Sequence, residues 1–549
     1  MLKLSRHIES NSTDPFDIII IGGGITGAAV AYTASSMGYK TALFEKNDYG
    51  GATSAATSKL IHGGLRYLAN FELGLVRESL RERLILGNIA PNFVYPLPFL
   101  FPIYGGIFNI LKMQVGLNLY DILSFDKSKT WDKSKALQNH TSYNSIETTK
   151  IEPNIVTENL QQSLLFYDYQ SIAPERLTLA FLKSAVQKGA VISNYAKVES
   201  FIQNQNRIEG VVVRDLIHQT EKEFKAKIIV NCAGTWADEI LKKVSEQSST
   251  AHKVKRSEGI HIITKKIAEN HVVSLQTKSG KHLMIMPWRN HSIIGTTDKE
   301  YLGEPDQYKV SKQGIDELLT EVNEHYKVKL TYADVQFAYG GLRPLIDNPS
   351  ENSYNASRKF ELYDHAKVNL NGLITVEGGK YTTSRHLAHE VLKLIQKKWQ
   401  VTMQKDKTAK NYLYGCEIPN VTQFLTSQHQ KYDAHFNPKT VEYISKNYGT
   451  QSDIIFQLAQ ENEAWKEQLT DDGEILAEVV YAIQFESTKT LCDILLRRTG
   501  IGTLGKPTPE IIDKITDLTS KMLHWSTEET TRNQQQIQNY YTMPFENVN

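Results

Sequence analysis

Two hydrophobic periods divide the chain. Phe16 to Ile21 is apolar except for Asp17, which suits a strand buried on both faces of a parallel sheet. A glycine turn follows, then an alanine-rich helix, Ala28 to Met37, ended by Gly38, and a second strand, Thr41 to Phe44. Pro174 to Lys188 has helical spacing, with proline near its start and Gly189 after its end. Short alternating runs at Val191–Asn194, Ala196–Phe201, Ile208–Val213 and Lys222–Val230 predict a β-meander, and Met284–Met286 and Ser292–Gly295 predict a further sheet. From about Asn411 the pattern is helical, as in Glu474 to Leu496. Asn533 to Asn539, rich in Gln, is expected to fray, and residues 1–15 read as a short polar arm.

One run stands apart. Leu84 to Leu111 carries no charge and holds Phe93, Tyr95, Phe99, Phe101, Tyr104 and Phe108. It is long enough to cross a bilayer, which takes roughly 20 helical residues. Pro91, Pro96, Pro98, Pro102 and Gly105-Gly106 would break such a helix, and lipid does not satisfy freed backbone groups. Two readings stand: a buried segment, or a surface that dips into one leaflet.

The chain of 549 residues is long enough for two or three domains. Its 62 basic and 61 acidic residues set up no global field for nucleic acid. Cys232, Cys416 and Cys492 are far apart and lack ligand spacing, so neither a metal site nor a disulfide framework is expected, and a reducing compartment is the default.

Gly22, Gly24 and Gly27 form G-x-G-x-x-G between strand and helix. The first permits the tight turn, the second lets a pyrophosphate approach the backbone, and the third allows close helix–sheet packing. The free N–H groups of the helix N-terminus, with Thr26 in the glycine turn before it, suit an anion. Glu45 ends the second strand, followed by Lys46, and is placed to accept from ribose hydroxyls. Together these predict dinucleotide binding. The next segment, Gly51 to Leu68, is rich in small residues, including Thr53, Ser54 and Ser58, where a nicotinamide-binding fold would continue into a helix. Small residues let backbone run against a flat aromatic ring, which favours a flavin.

Within it, Ser58-Lys59-Leu60-Ile61-His62-Gly63-Gly64-Leu65-Arg66-Tyr67-Leu68 resembles the signature of FAD-dependent glycerol-3-phosphate dehydrogenases, among the D-amino-acid-oxidase-like flavoproteins. Matching pieces follow in order: Val230 to Ala237, Ile293 to Asp298, Gly341 to Leu345, Glu377 to Thr383, and Ile475 to Ala482 with Leu496 to Thr499. The resemblance implies an α/β (α+β) architecture: a Rossmann-like FAD-binding domain, a β-sheet substrate (capping) domain and an α-helical C-terminal domain. The FAD-binding domain would take 15–90, 151–255 and 361–405; a membrane-facing capping segment 91–150; the substrate domain 256–360; and the helical domain 406–549.

It further implies oxidation of sn-glycerol 3-phosphate to dihydroxyacetone phosphate by hydride transfer to flavin N5, with electrons passed to a membrane quinone. FAD would touch the residues above together with Lys59, Leu60, His62, Gly63, Gly64, Ala233, Gly234, Trp236, Gly379, Lys380, Thr382 and Thr383. A phosphate monoester carries nearly two negative charges, and forked guanidinium groups suit it: Arg66, Arg343 and Arg358 are the candidates. Tyr67 and Lys380 would sit beside the substrate, with His261, Arg343 and Lys380 as the catalytic set. His261 is the expected base, because imidazole titrates near neutrality. The family's Lys-Gly-x-His here reads Glu258-Gly259-Ile260-His261, with glutamate replacing the lysine. Thr382, Thr383 and Ser384 suit an N-cap for the helix through Leu387, Val391 and Ile395.

The expected location is the cytoplasm, attached peripherally to the inner face of the cytoplasmic membrane; a homodimer is left open. The alternative is an oxidase that uses oxygen and releases hydrogen peroxide. It is disfavoured because Arg343 to Lys380 is too short for the insertion such relatives carry. A non-catalytic flavoprotein would have lost its arginines, and an amino-acid oxidase would not need several.

Overall fold

Phe16–Ile21 lies at the middle of a mixed sheet because both its faces are covered. The sheet runs Phe360–Asp364, Leu373–Gly378, Glu221–Asn231, Phe16–Ile21, Thr41–Phe44, Val191–Ser193, parallel throughout except for the first strand. The structure is a computed structural model and describes residues 2–10, 14–244, 254–277, 282–345, 359–402 and 404–545. Helices Ile25–Ser36, Pro174–Gln187 and Ser384–Trp399 pack on one face, where Ala28, Ala31, Leu177, Phe181, Leu387 and Val391 share a core. The small alanines let the first helix lie between the other two. On the opposite face the meander Ala196–Asn204, Arg207–Asp215 and Glu221–Asn231 closes a second core around Ile19, Phe44, Val211 and Phe224.

A larger sheet stands beside it, in the order Lys299–Tyr301, Lys255–Lys265, His291–Gly295, His282–Trp288, Val272–Gln276, Val94–Tyr104, Leu160–Ser171, Leu60–Ile61. Phe337–Leu345 pairs with Lys255–Lys265, and Thr141–Asn144 with Leu160–Ser171. The last segment, residues 406–545, is helical and holds its own core of Tyr432, Ile444, Phe456 and Tyr481.

Four expectations change. The apolar run is split: Leu84–Ile89 ends a buried helix, and Val94–Tyr104 is a strand of the larger sheet. Pro96, Pro98 and Pro102 occupy alternate positions, so their missing N–H groups fall on one edge. Only from Ile107 does the apolar surface open outward, along helix Ile107–Leu123 and beyond Leu111 to Phe125. Among the described residues no helix is long and apolar enough to cross a membrane. Glu474 to Leu496 is not one helix. It stops at Phe485 because Ser487 is left-handed (φ 55°) and Glu486 turns inward to accept from Arg176 and Lys183. The Gln-rich tail does not fray: Thr527–Tyr541 is a helix with a Ser526/Glu529 capping box and buries Asn533, Ile537 and Tyr541. The N-terminal arm is docked, with Leu4 bonding to Phe485 O and buried Arg6 paired with Asp215.

Candidate active site

Sheet strands end where the glycine turn begins. Gly22 has φ +105°, and a Cβ there would meet the Cys232 carbonyl oxygen at 2.7 Å; at Gly27 it would stand 1.9 Å from the Gly22 oxygen. Both positions require glycine. Gly24 precedes the first helical residue, and the Ile25 amide donates to Ser54 Oγ at 2.9 Å. Glu45 accepts from the Gly23 amide (2.6 Å) and the Asn47 amide (2.8 Å), and burial raises its pKa. It therefore braces the turn as well as facing the cavity.

That cavity, about 1520 Å3, runs from the glycine turn to helix Ile107–Leu123. Its first reach is walled by Gly22, Gly24, Thr26, Glu45, Lys46, Thr53 and Ser54, with Ala233, Gly234 and Trp236 opposite. Lys46 lies 4.5 Å from the Trp236 ring centre, and both bond to Asp306. The strand at Gly341-Leu342 comes close to the Thr53–Ala56 segment: Thr53 Oγ1 donates to Leu342 O at 2.6 Å, and a Cβ on Gly341 would meet Ala56 Cβ at 2.7 Å. Ser58, Leu60, His62, Gly64, Gly379, Lys380 and Thr382 line the middle.

Two cationic groups face this middle. Arg343 lies against Gly259, where a Cβ would stand 2.0 Å from its Nη2; it donates to Thr296 Oγ1 (2.6 Å), Glu258 O (3.1 Å) and Thr297 O (3.3 Å). Beside it His261 bonds through Nε2 to Ser58 Oγ at 2.8 Å and stacks on Tyr339. Burial, reinforced by Arg343 and Lys59, lowers its pKa to about 3, so the ring is neutral near pH 7, and its Nδ1 is buried without a hydrogen-bond partner. The second group is Arg66, Tyr67 and Lys380. Both cations lie 5.0 Å from the Tyr67 ring centre, and Lys380 donates to Ser79 Oγ. Burial lowers the pKa of Lys380, and it lowers that of neighbouring His62 to about 4.

Other expected residues lie elsewhere. Lys59 turns away from the cavity into a buried ion pair with Glu175, and Gly63 donates to Tyr120 OH (3.0 Å) behind the wall. Thr383 stands outside the lining; neither it nor Ser384 caps its helix, and both hydroxyls are buried without a hydrogen-bond partner. Glu258, which replaces the family's lysine, also lies outside the lining; burial raises its pKa. Arg358 lies outside the described residues.

Several supporting residues escaped the sequence reading. Asp168 accepts from Arg83, from Tyr120 OH (2.7 Å) and from the Gly63 amide (3.3 Å), fixing the His62–Gly64 backbone. It is the one charged residue in the strand Leu160–Ser171, and that was the available signal. Ser79, which accepts from Lys380, and His282, in the cavity lining, had none.

Residues 17–384 match the family described as FAD dependent oxidoreductase, and residues 406–530 match the C-terminal domain of alpha-glycerophosphate oxidase. The aerobic glycerol-3-phosphate dehydrogenase of Staphylococcus aureus (strain USA300) is 31% identical over 537 residues, covering 95% of this chain and 93% of its own. The chain belongs to the FAD-dependent glycerol-3-phosphate dehydrogenase family. Its cofactor is FAD, and the glycine turn and the cavity beyond it fit that group. A glycerol-3-phosphate dehydrogenase from Bacillus halodurans, solved with FAD, superimposes with a TM-score of 0.78 at 26% identity over 98% of this chain and 97% of that one. Glycine oxidase from Geobacillus kaustophilus (17% identical, TM-score 0.52, 73% of this chain and 99% of that one) shares the fold. The family's two-part organisation thus spans the chain, with the cavity in the first part.

Proposed function

We propose that this chain oxidises sn-glycerol 3-phosphate to dihydroxyacetone phosphate and delivers the electrons to a membrane quinone. The observation that carries the reading is the pair of cationic groups, Arg343 with His261 and Arg66 with Lys380, opening on the same cavity as the dinucleotide turn. The names of the relatives at 31% and 26% identity point to the same substrate.

Bound FAD supplies the two-electron acceptor for the hydrogen on the carbinol carbon. Gly22, Gly24 and Thr26 would hold its pyrophosphate, Glu45 its ribose, and Thr53, Ser54, Ser58, Leu60, His62 and Gly64 would wall its ring. Arg66 and Arg343 grip the phosphate; Arg343 is already fixed by Gly259 and Thr296, so little freedom is lost on binding. His261, held neutral, accepts the hydroxyl proton. Burial is the main cause of its lowered pKa and the Arg343 charge the next; a bound dianion offsets the latter, making the ring a somewhat stronger base when substrate is present. Lys380 and Tyr67 position the carbinol end.

The acceptor is read from the far end of the cavity. Met113, Val115 and Leu119 line it from helix Ile107–Leu123, whose outer side exposes Phe108, Leu111 and Ile122. An apolar electron carrier dissolved in lipid would meet the cavity there. The test is turnover of the purified protein with glycerol 3-phosphate, comparing reduction of a soluble quinone analogue with peroxide release in air. Faster quinone reduction is expected. Stoichiometric peroxide at equal rate would assign an oxidase.

A further inference from the structure

Among the described residues, no side chain beyond Thr382 lines the cavity, so the helical domain builds none of its wall. Yet that domain sends two arginines, one of them fully buried, to the cavity's edge. Helix Leu491–Asp493 widens into a π turn, Ile494–Arg498, closed by the Thr499 amide on Ile494 O at 2.9 Å. Such turns cost helix regularity and recur at functional sites. Here the turn directs two consecutive arginines onto one carboxylate, Asp48. Arg498, fully buried, donates through Nη1 and Nη2 to the two oxygens at 2.7 Å each, and Arg497 donates through Nε. Asn194 adds a bond at 3.0 Å.

Asp48 lies in the cavity wall, three residues after Glu45. The loop from Glu45 to Gly50 is tied to the glycine turn at both ends: Glu45 accepts from the Gly23 amide, and the Gly50 amide donates to Gly23 O at 3.0 Å. Tyr49 fills the space beside Gly23, where a Cβ would meet its ring at 3.0 Å. The path from Arg498 to the pyrophosphate turn is therefore short and made of contacts already in place. If Asp48 lost its grip, the loop would be free to leave Gly23, and the turn would lose its brace.

We propose that the C-terminal helical domain is a clamp for the cofactor: Arg497 and Arg498, as positioning residues, hold Asp48 and through it the loop that shapes the FAD turn. Binding of FAD and docking of this domain then favour each other, because linkage between two sites is reciprocal. The clasp is a bidentate, buried, charge-assisted pair, which is intolerant of losing one partner because the other is then left buried and uncompensated.

The test compares full-length wild type, Asp48→Asn and Phe456→Leu. Phe456 sits in the helical domain's own core, away from the clasp. Apoprotein is titrated with FAD, followed by quenching of flavin fluorescence, and its thermal unfolding is recorded separately. Asp48→Asn should weaken FAD binding at least ~10-fold, whereas Phe456→Leu, although it also lowers the unfolding temperature, should leave affinity within about twofold. In wild type, FAD should slow amide exchange across residues 491–499, none of which faces the cavity. This measurement decides the matter alone if Asp48→Asn fails to fold. Unchanged FAD affinity in Asp48→Asn, equal weakening in both variants, or no FAD-dependent protection across 491–499 would overturn the clamp and leave an interdomain staple.

Discussion

At Gly259 a hydrogen stands where any side chain would displace the Arg343 guanidinium. That one contact explains why the glycine belongs beside a cationic site, and it makes the position of Arg343 a consequence of backbone shape. A lysine at 343 keeps the charge but not the fork that donates to Thr296 Oγ1 and the carbonyls. Arg343→Lys should lower kcat/KM for glycerol 3-phosphate about 10- to 100-fold while flavin content stays unchanged, as steady-state kinetics and absorbance would show. His261 makes a different prediction. Its unfolded imidazole binds a proton near pH 6.5, whereas the folded ring does so only near pH 3. The stability contributed by the neutral native ring is complete above pH 6.5 and is lost as pH falls toward about 3. In His261→Asn, apoprotein stability should therefore fall less steeply between pH 6.5 and 4, by up to ~1.4 kcal/mol per pH unit in denaturant titrations. An unchanged slope would mean that the ring is not held neutral.

The strand–turn–helix unit was legible from Phe16 to Phe44 because each of its signals is local: an apolar run, three glycines, an alanine helix. Gly27 shows how tightly it is built. Gly27→Ala would drive a Cβ against the Gly22 carbonyl, and FAD affinity should fall at least ~10-fold in a fluorescence titration. The apolar run was harder to read, because composition cannot tell a core strand from a surface helix. Val94–Tyr104 is buried by pairing with Leu160–Ser171, a partner more than 50 residues away, whereas Ile107–Leu123 turns Phe108, 83% exposed, outward. Phe71, 86% exposed, adds to the exposed apolar surface. Replacing Phe108 and Leu111 with serine should reduce partitioning onto lipid vesicles about 10- to 100-fold, measured by co-sedimentation. Lys112 is the cation nearest in sequence to Phe108 and Leu111, and with little other charge there detergent should release the wild type better than high salt. Efficient release by salt alone would contradict insertion.

Across the whole molecule, the chain returns to the first sheet after each excursion, and the site forms where those returns meet. Ser58 reaches His261, and Lys380 reaches Ser79, across separations of 203 and 301 residues. Motif residues could be picked out in the sequence, but such pairings could not, since no local pattern encodes them. The same holds for Asp168, Arg83 and the Asp48–Arg498 clasp, each an isolated charge until the fold supplies its partner. What the assembled cavity does is tested most directly by an anaerobic spectrum of the purified protein. Addition of glycerol 3-phosphate should bleach the flavin absorbance, while glycerol and D-amino acids leave it unchanged, and Arg66→Ala/Arg343→Ala should retain its colour but not bleach. A flavin that is bleached equally by glycerol, or a double variant that bleaches like wild type, would contradict the account.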